Sequence, residues 1–350
     1  MAARALKPQG LPAAEAARAF RPPRLLRNAH LQSVLSNLPW QSWFIRRRAQ
    51  PLLASSREML LDCGDGVRLQ AFYSARPEQA RAGLYKLAVL LHGWEGSAQS
   101  SYVLSCAALL FQRGFAVVRL NLRDHGSTHA LNRDLFHSCR LPEVIGAIRA
   151  LSAAFPQARL CLAGFSLGGN FMLRVAADSR APQTIAGVVA ISPVIDPQAT
   201  LRALEQGLGL YRRYFVRRWS RSLRIKQRAW PGAHDFADLW QLQDLRQMTA
   251  ALVRRYTEFE TLEAYLDGYA LTGERLASLR APASILLSAD DPIIPAADLE
   301  RLAHSELLTL VRTEHGGHCG FMQGWSRPSF ADGYVLAQFE QFSPPGERAA

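Results

Sequence analysis

The sequence predicts an α/β architecture: a mostly parallel sheet of eight strands flanked by helices, with a helical cap inserted before the last two strands. Three observations carry this reading. From Leu87 to Ile191, short apolar runs alternate with helix-length segments, as in a parallel sheet. The alternation breaks at Ser192-Pro193 and resumes only at Ala283, which leaves room for an insertion. Before that break, Gly164-Phe165-Ser166-Leu167-Gly168-Gly169-Asn170 sets one serine between glycines where a strand-like run meets a helix-like one.

Residues 1–57 read as an N-terminal arm, whose first 20 residues are rich in Ala and Arg and suit a loose segment or an organelle transit peptide. Strand-like Glu58–Asp62 and Val67–Tyr73 surround Gly64-Asp65-Gly66, a strong hairpin signal, so antiparallel strands open the core. Leu87–Leu91, Phe115–Asn121, Leu160–Phe165 and Ile185–Ile191 follow as parallel strands, and Ala283–Leu287 and Leu307–Val311 resume the pattern. The core therefore spans 58–192 and 276–345, and the cap spans 193–275.

At 350 residues and 49% hydrophobic content the chain buries a large core and is not disordered. Its formal charge of +12 is almost all arginine, since Lys7, Lys86 and Lys226 are the only lysines. That charge speaks to solubility and anionic surfaces rather than to fold, and no nucleic-acid motif accompanies it. The five cysteines are widely spaced and form no C-x-x-C pair, which excludes a disulfide scaffold or zinc site and fits a reducing cytoplasm. No run approaches the roughly 20 apolar residues of a membrane span, and no secretory signal core opens the chain.

A serine at such a turn crowds its neighbours two residues away on either side, and Gly164 and Gly168 relieve that crowding. The turn lifts the Ser166 hydroxyl above the sheet edge, where N–H groups opening the next helix face the same space. A hydroxyl needs a base, and the base needs an acid group to hold its tautomer, in the chain order serine, acid, histidine. After Ala283–Leu287 come Asp290 and Asp291; Asp291 is favoured because Pro292 restrains its backbone, with Asp290 as the fallback and a plain helix cap as the bland alternative. After the last strand, His318 lies between Gly317 and Gly320 and is favoured over His315, which follows the strand too closely. His125 and His129 precede the serine, so they fall outside the order and edge the pocket instead. The loop Leu91-His92-Gly93-Trp94-Glu95-Gly96-Ser97 supplies an oxyanion donor, the Trp94 N–H, with the Leu167 N–H as its partner.

These motifs, with Arg27-Asn28-Ala29-His30-Leu31-Gln32-Ser33 ahead of the sheet, resemble the YheT-like group of α/β-hydrolases, related to the animal abhydrolase-domain lipases and esterases. The resemblance covers most of the chain. It implies hydrolysis of carboxylic esters or acyl lipids, with no metal and no cofactor. The arm motif has no catalytic role on this reading and is expected to pack structurally. The chain departs from the group at Asn121-Leu122-Arg123-Asp124-His125-Gly126, where relatives tend to have Arg-Gly followed by small residues, and pocket shape is what that touches. An acyltransferase on the same scaffold is the runner-up, and a non-catalytic ligand-binding protein the third reading.

Within the cap, Leu208, Tyr211, Phe215, Trp219 and Leu223 fall on one helical face, while Arg213, Arg217, Arg221, Arg224 and Arg228 step along another. Such a helix packs as a lid with a solvated basic side, or lies on an anionic membrane.

Overall fold

Strand residues point alternately to the two faces of a sheet, so a strand buried on both sides divides its side chains between two cores. The computed structural model, which describes residues 20–35, 38–76, 85–324 and 327–342, shows this division. Leu87, Val89 and Leu91 belong to one apolar cluster and Ala88 and Leu90 to the other; Leu160 and Leu162 likewise oppose Cys161, Ala163 and Phe165.

Three short helices come first: α1 (Ala29–Leu35), α2 (Pro39–Arg48) and α3 (Gln50–Ala54). The hairpin β1 (Arg57–Asp62) and β2 (Arg68–Ser74) follows, turning through Gly64, Asp65 and Gly66, all with positive φ. Then come β3 (Tyr85–Leu91), α4 (Ser101–Gln112), β4 (Ala116–Leu120), α5 (Leu141–Ala154), β5 (Ala158–Phe165), α6 (Leu167–Ala177) and β6 (Ile185–Ile191). Four helices, α7 (Pro197–Gln206), α8 (Gly209–Ala229), α9 (Leu245–Tyr256) and α10 (Leu262–Gly268), stand between β6 and β7 (Ala283–Ser288). The described chain closes with β8 (Leu308–Thr313) and α11 (Phe330–Gln341).

The eight strands form one sheet in the order β1-β2-β4-β3-β5-β6-β7-β8. β2 runs antiparallel to both β1 and β4, and the remaining pairings are parallel. Helices α5 and α6 pack on one face with Ile148, Leu151, Phe171 and Met172; α4 and α11 cover the other with Leu110, Phe111, Val335 and Phe339. This order places the C-terminal ends of β3, β5, β7 and β8 together, and the loops leaving them share one edge of the sheet.

The inter-strand helices rest on that edge through side chains. Leu135 of the loop after β4 joins Leu223, Phe236, Leu239, Met248 and Leu252 in a separate apolar cluster. Three residues after Leu223 on α8 lies Lys226, 1% exposed, whose ammonium donates to Asp124 Oδ1 at 2.7 Å and to the carbonyls of Asn132 and Asp134 at 2.5 and 3.0 Å. A charge so buried is tolerable only because these oxygens replace its water. Leu208 is expected on the apolar face of α8, but it lies just before the helix and is 49% exposed. No helix among the described residues is long and apolar enough to cross a membrane. The expected loose or transit-like first 20 residues lie outside the described residues, apart from Phe20.

Candidate active site

Ser166 joins β5 to α6 with φ 53° and ψ −121°, the left-handed side that L-residues avoid. Its neighbours explain how that is sustained. A Cβ on Gly164 would run into the backbone of Gly168, and one on Gly168 into the carbonyls of Leu91 and His92. The Ser166 N–H is held by the Ile191 carbonyl at 2.9 Å, and the Ser166 carbonyl accepts the N–H of Asn170 at 3.1 Å. The side chain is left facing away from the sheet, into a cavity that it lines.

There it meets the histidine. Ser166 Oγ lies 3.0 Å from His318 Nε2, and His318 Nδ1 lies 3.0 and 3.2 Å from the Asp291 carboxylate oxygens. The Asp291 side chain is fully buried and that of His318 is 13% exposed. Asp291 Oδ1 also accepts the N–H groups of Ile293 and Ile294, each at 2.9 Å, so the same carboxylate both caps its own turn and faces the imidazole. Burial works against a charged His318, but the Asp291 carboxylate overrides it and holds the imidazole well above the ordinary histidine range. Asp290, the fallback acid, faces elsewhere: it accepts the Gly317 N–H at 2.9 Å and lies 3.4 Å from His315 Nδ1.

The loop after β3 packs directly over the serine. A Cβ on Gly93 would stand 3.0 Å from Ser166 Cβ, so only glycine lets the loop come this close. The Gly93 N–H is taken by Tyr102 Oη at 3.1 Å. For the N–H groups of Trp94 and Leu167, no acceptor is found among the described residues. His92 is wholly buried; its Nε2 accepts the Leu122 N–H at 3.2 Å, which leaves its Nδ1 proton to the Gly93 carbonyl at 2.7 Å. Burial pushes this imidazole down to about 4, so it stays neutral and pins the loop. Glu95, next in the loop, has its carboxyl pushed up to about 7 by burial, against the pull of Arg218.

His129 does not edge the cavity, contrary to expectation, and His125 lines only a small adjoining cavity that shares Glu95, Phe136 and Trp219 with it. His125 is 3% exposed and bonds the Arg123 carbonyl at 2.6 Å; His129 meets Ser222 of α8 at 2.8 Å. Both lie beneath the inter-strand helices because the loop after β4 turns under α8, where Asp124 receives Lys226. The departure at 121–126 thus anchors α8 from below.

The cavity has a volume of about 650 Å³. Ser166 and His318 stand at its floor, and Leu201, Leu204, Phe215 and Trp219 of α7 and α8 form an apolar wall. The Trp94 ring stacks on Phe215, centroids 5.1 Å apart, and meets Trp219 edge-on at 5.1 Å. The arm also lines the cavity, through Ser33, Val34, Ile45 and Arg46. The sequence reading missed Tyr102, Ser33 and Arg218, whose guanidinium bonds the Glu95 carbonyl at 2.6 Å. For Ser33 a signal existed in the arm motif; for Tyr102, nine residues from Gly93, and Arg218, 123 residues from Glu95, neither spacing nor residue type marks the contact.

Comparison with known proteins follows the same lines. A family model described as alpha/beta hydrolase fold matches residues 87–324. "Putative esterase YheT" of Escherichia coli strain K12 is 28% identical over 321 residues, covering 87% of each chain. "Phospholipase ABHD3" of Homo sapiens is 24% identical over 258 residues, 72% of this chain and 63% of the relative, which is less than two thirds of that protein. Among solved structures, the Pyrococcus furiosus esterase Pf2001 aligns with a TM-score of 0.53 at 15% identity, covering 81% of this chain and 90% of its own. A membrane phospholipase A described as a novel bacterial virulence factor gives 0.52 at 18% identity, over 86% and 92%. At these identities the solved structures bear on the fold alone.

Proposed function

This chain belongs to the α/β-hydrolase family, and from that premise we propose that it is a serine hydrolase of carboxylic esters, acting through an acyl-enzyme on Ser166. The observation that carries the reading is the unbroken chain from Ser166 Oγ through His318 to the buried Asp291. In the neutral ring, Asp291 keeps the proton on Nδ1, so Nε2 can accept the serine proton as Oγ attacks the ester carbonyl. The N–H groups of Trp94 and Leu167 receive the developing oxyanion. On collapse, the imidazolium gives its proton to the departing alcohol, and water then releases the acid by the same steps in reverse.

The relatives' names and the apolar cavity wall together favour acyl esters, including acyl lipids, as substrates. We place the encounter with such lipids at an anionic membrane surface. Leu210 and Tyr214 line the cavity and are 59% and 49% exposed, and Trp43 and Phe44 of α2 are exposed nearby in sequence to cavity-lining Ile45 and Arg46. Exposed Arg213, Arg217 and Arg221 follow along α8. Flotation with liposomes should show binding that requires anionic lipid; equal, negligible binding with and without it removes this part.

The central test is covalent. A fluorophosphonate probe should label the wild type and leave Ser166→Ala unlabelled, with ester hydrolysis reduced roughly 10⁴- to 10⁶-fold. Labelling that survives the substitution overturns the assignment.

A further inference from the structure

The arm motif 27–33 has no place in the chemistry above, yet it is fitted closely to the base loop. Ser33 Oγ accepts the backbone N–H of His318 at 2.8 Å while donating its own proton to the Ala29 carbonyl at 2.7 Å. Gln32 is wholly buried; its Oε1 accepts the Met322 N–H at 2.7 Å, and its Nε2 donates to the carbonyls of Leu26 at 2.6 Å and Met322 at 3.3 Å. The base loop is shaped to receive this helix. Gly317 has φ 56°, a Cβ on it would collide with the Ala29 carbonyl and Ser33, and one on Gly320 would collide with the Gln32 carbonyl. On its other side the arm reaches α8: His30 Nδ1 lies 3.0 Å from the Tyr211 hydroxyl, which also hydrogen-bonds Ser33 and lines the cavity.

We propose that Ser33 is a positioning residue for His318: through the base's own backbone N–H, and through Tyr211, it sets the imidazole relative to both Ser166 and the lid helix. The inference rests on the serine-hydrolase reading. A loop with glycines at 316, 317 and 320 has little stiffness of its own, so something outside it must hold the imidazole within reach of Oγ. Packing alone would not require a hydroxyl at this point; the N–H of His318 does, because no other acceptor for it is found among the described residues.

The test compares wild type, Ser33→Ala and Ser33→Thr in the full chain, using a soluble short-chain p-nitrophenyl ester and counting active enzyme by fluorophosphonate titration. Ser33→Ala should lower kcat about 10- to 100-fold with KM held, slow labelling in proportion, and Ser33→Thr should restore both. In the resting protein, the downfield Nδ1–H proton resonance of His318 should shift or broaden in Ser33→Ala. A Ser33→Ala protein that melts earlier but keeps kcat within about twofold, with that resonance unmoved, overturns the proposal. Should Ser33→Ala fail to fold, Tyr211→Phe carries the test: a smaller fall in kcat with the same resonance change supports it, and neither change overturns it. If the wild type itself neither labels nor turns over, the hydrolase reading fails, and the resonance alone then decides whether Ser33 positions the imidazole.

Discussion

The floor and the roof of the cavity are built by opposite means. On the floor, Ser166, Trp94, Asp291 and His318 sit in loops leaving parallel strands, and hydrogen bonds to the backbone of those loops, from main chain and side chain alike, fix them together with missing Cβ atoms. On the roof, α7 and α8 are held by side chains: an apolar cluster, aromatic stacking against Trp94 and the buried Lys226–Asp124 pair. The floor is therefore stiff and tolerant of no backbone change, whereas the roof can vary in side chain while keeping its place. On the proposed function, chemistry would belong to the first and selection of the acyl group to the second.

The contrast is tested most severely at Asp291. Asp291→Asn should lower kcat about 10⁴-fold with little loss of thermal stability, because it disturbs the imidazole tautomer and leaves the loop backbone intact. The pH profile should move as well. Asp291 holds His318 well above the ordinary range, so in wild type the neutral base, and with it activity, appears only as pH rises through that raised value. In the Asn variant the residual activity should rise at lower pH. A profile that does not move separates Asp291 from the base.

Lys226→Ala should do the reverse, lowering stability by about 3–5 kcal/mol through the stranded Asp124 while folded enzyme still labels with a small fluorophosphonate. Denaturant unfolding and labelling on one sample would show whether roof and floor separate. Phe215→Ala, which opens the apolar wall, should change kcat/KM for long-chain esters about 10-fold relative to short ones. The smallest effect is expected at Glu95, in the loop between the two regions. Its carboxyl is pushed from 4.5 to about 7 by burial, so the folded protein holds the proton longer, and stability falls as pH rises from about 4.5 through about 7 and levels off above that. Glu95→Gln should flatten this part of the melting-temperature profile; an unchanged slope would put Glu95 in water.

The same division explains what the sequence discloses. Each floor residue is announced locally: Ser166 by its glycines, Asp291 by Pro292, His318 by Gly317 and Gly320, and the strands around them by apolar runs. Strand limits differ from expectation by a residue or two, as with Phe115–Asn121 against Ala116–Leu120, because pairing rather than apolarity sets the ends. The roof's anchors are illegible for the opposite reason. Lys226 meets Asp124 across 102 residues of chain with no periodicity or spacing to mark the pair; below the roof, the arm motif draws attention to Ser33 but not to its meeting with His318 across 285. His125 and His129 mislead because a histidine beside a strand end looks the same from sequence whether it faces the cavity or the underside of α8.

The left-handed backbone at Ser166 sets fold and chemistry against each other at one residue. Glycine would occupy φ 53° without strain, so Ser166→Gly should leave the fold at least as stable as it is now. Ser166→Gly therefore separates the two demands at this turn: the melting temperature should be kept or raised while fluorophosphonate labelling is lost, so that strain and chemistry are read on one variant.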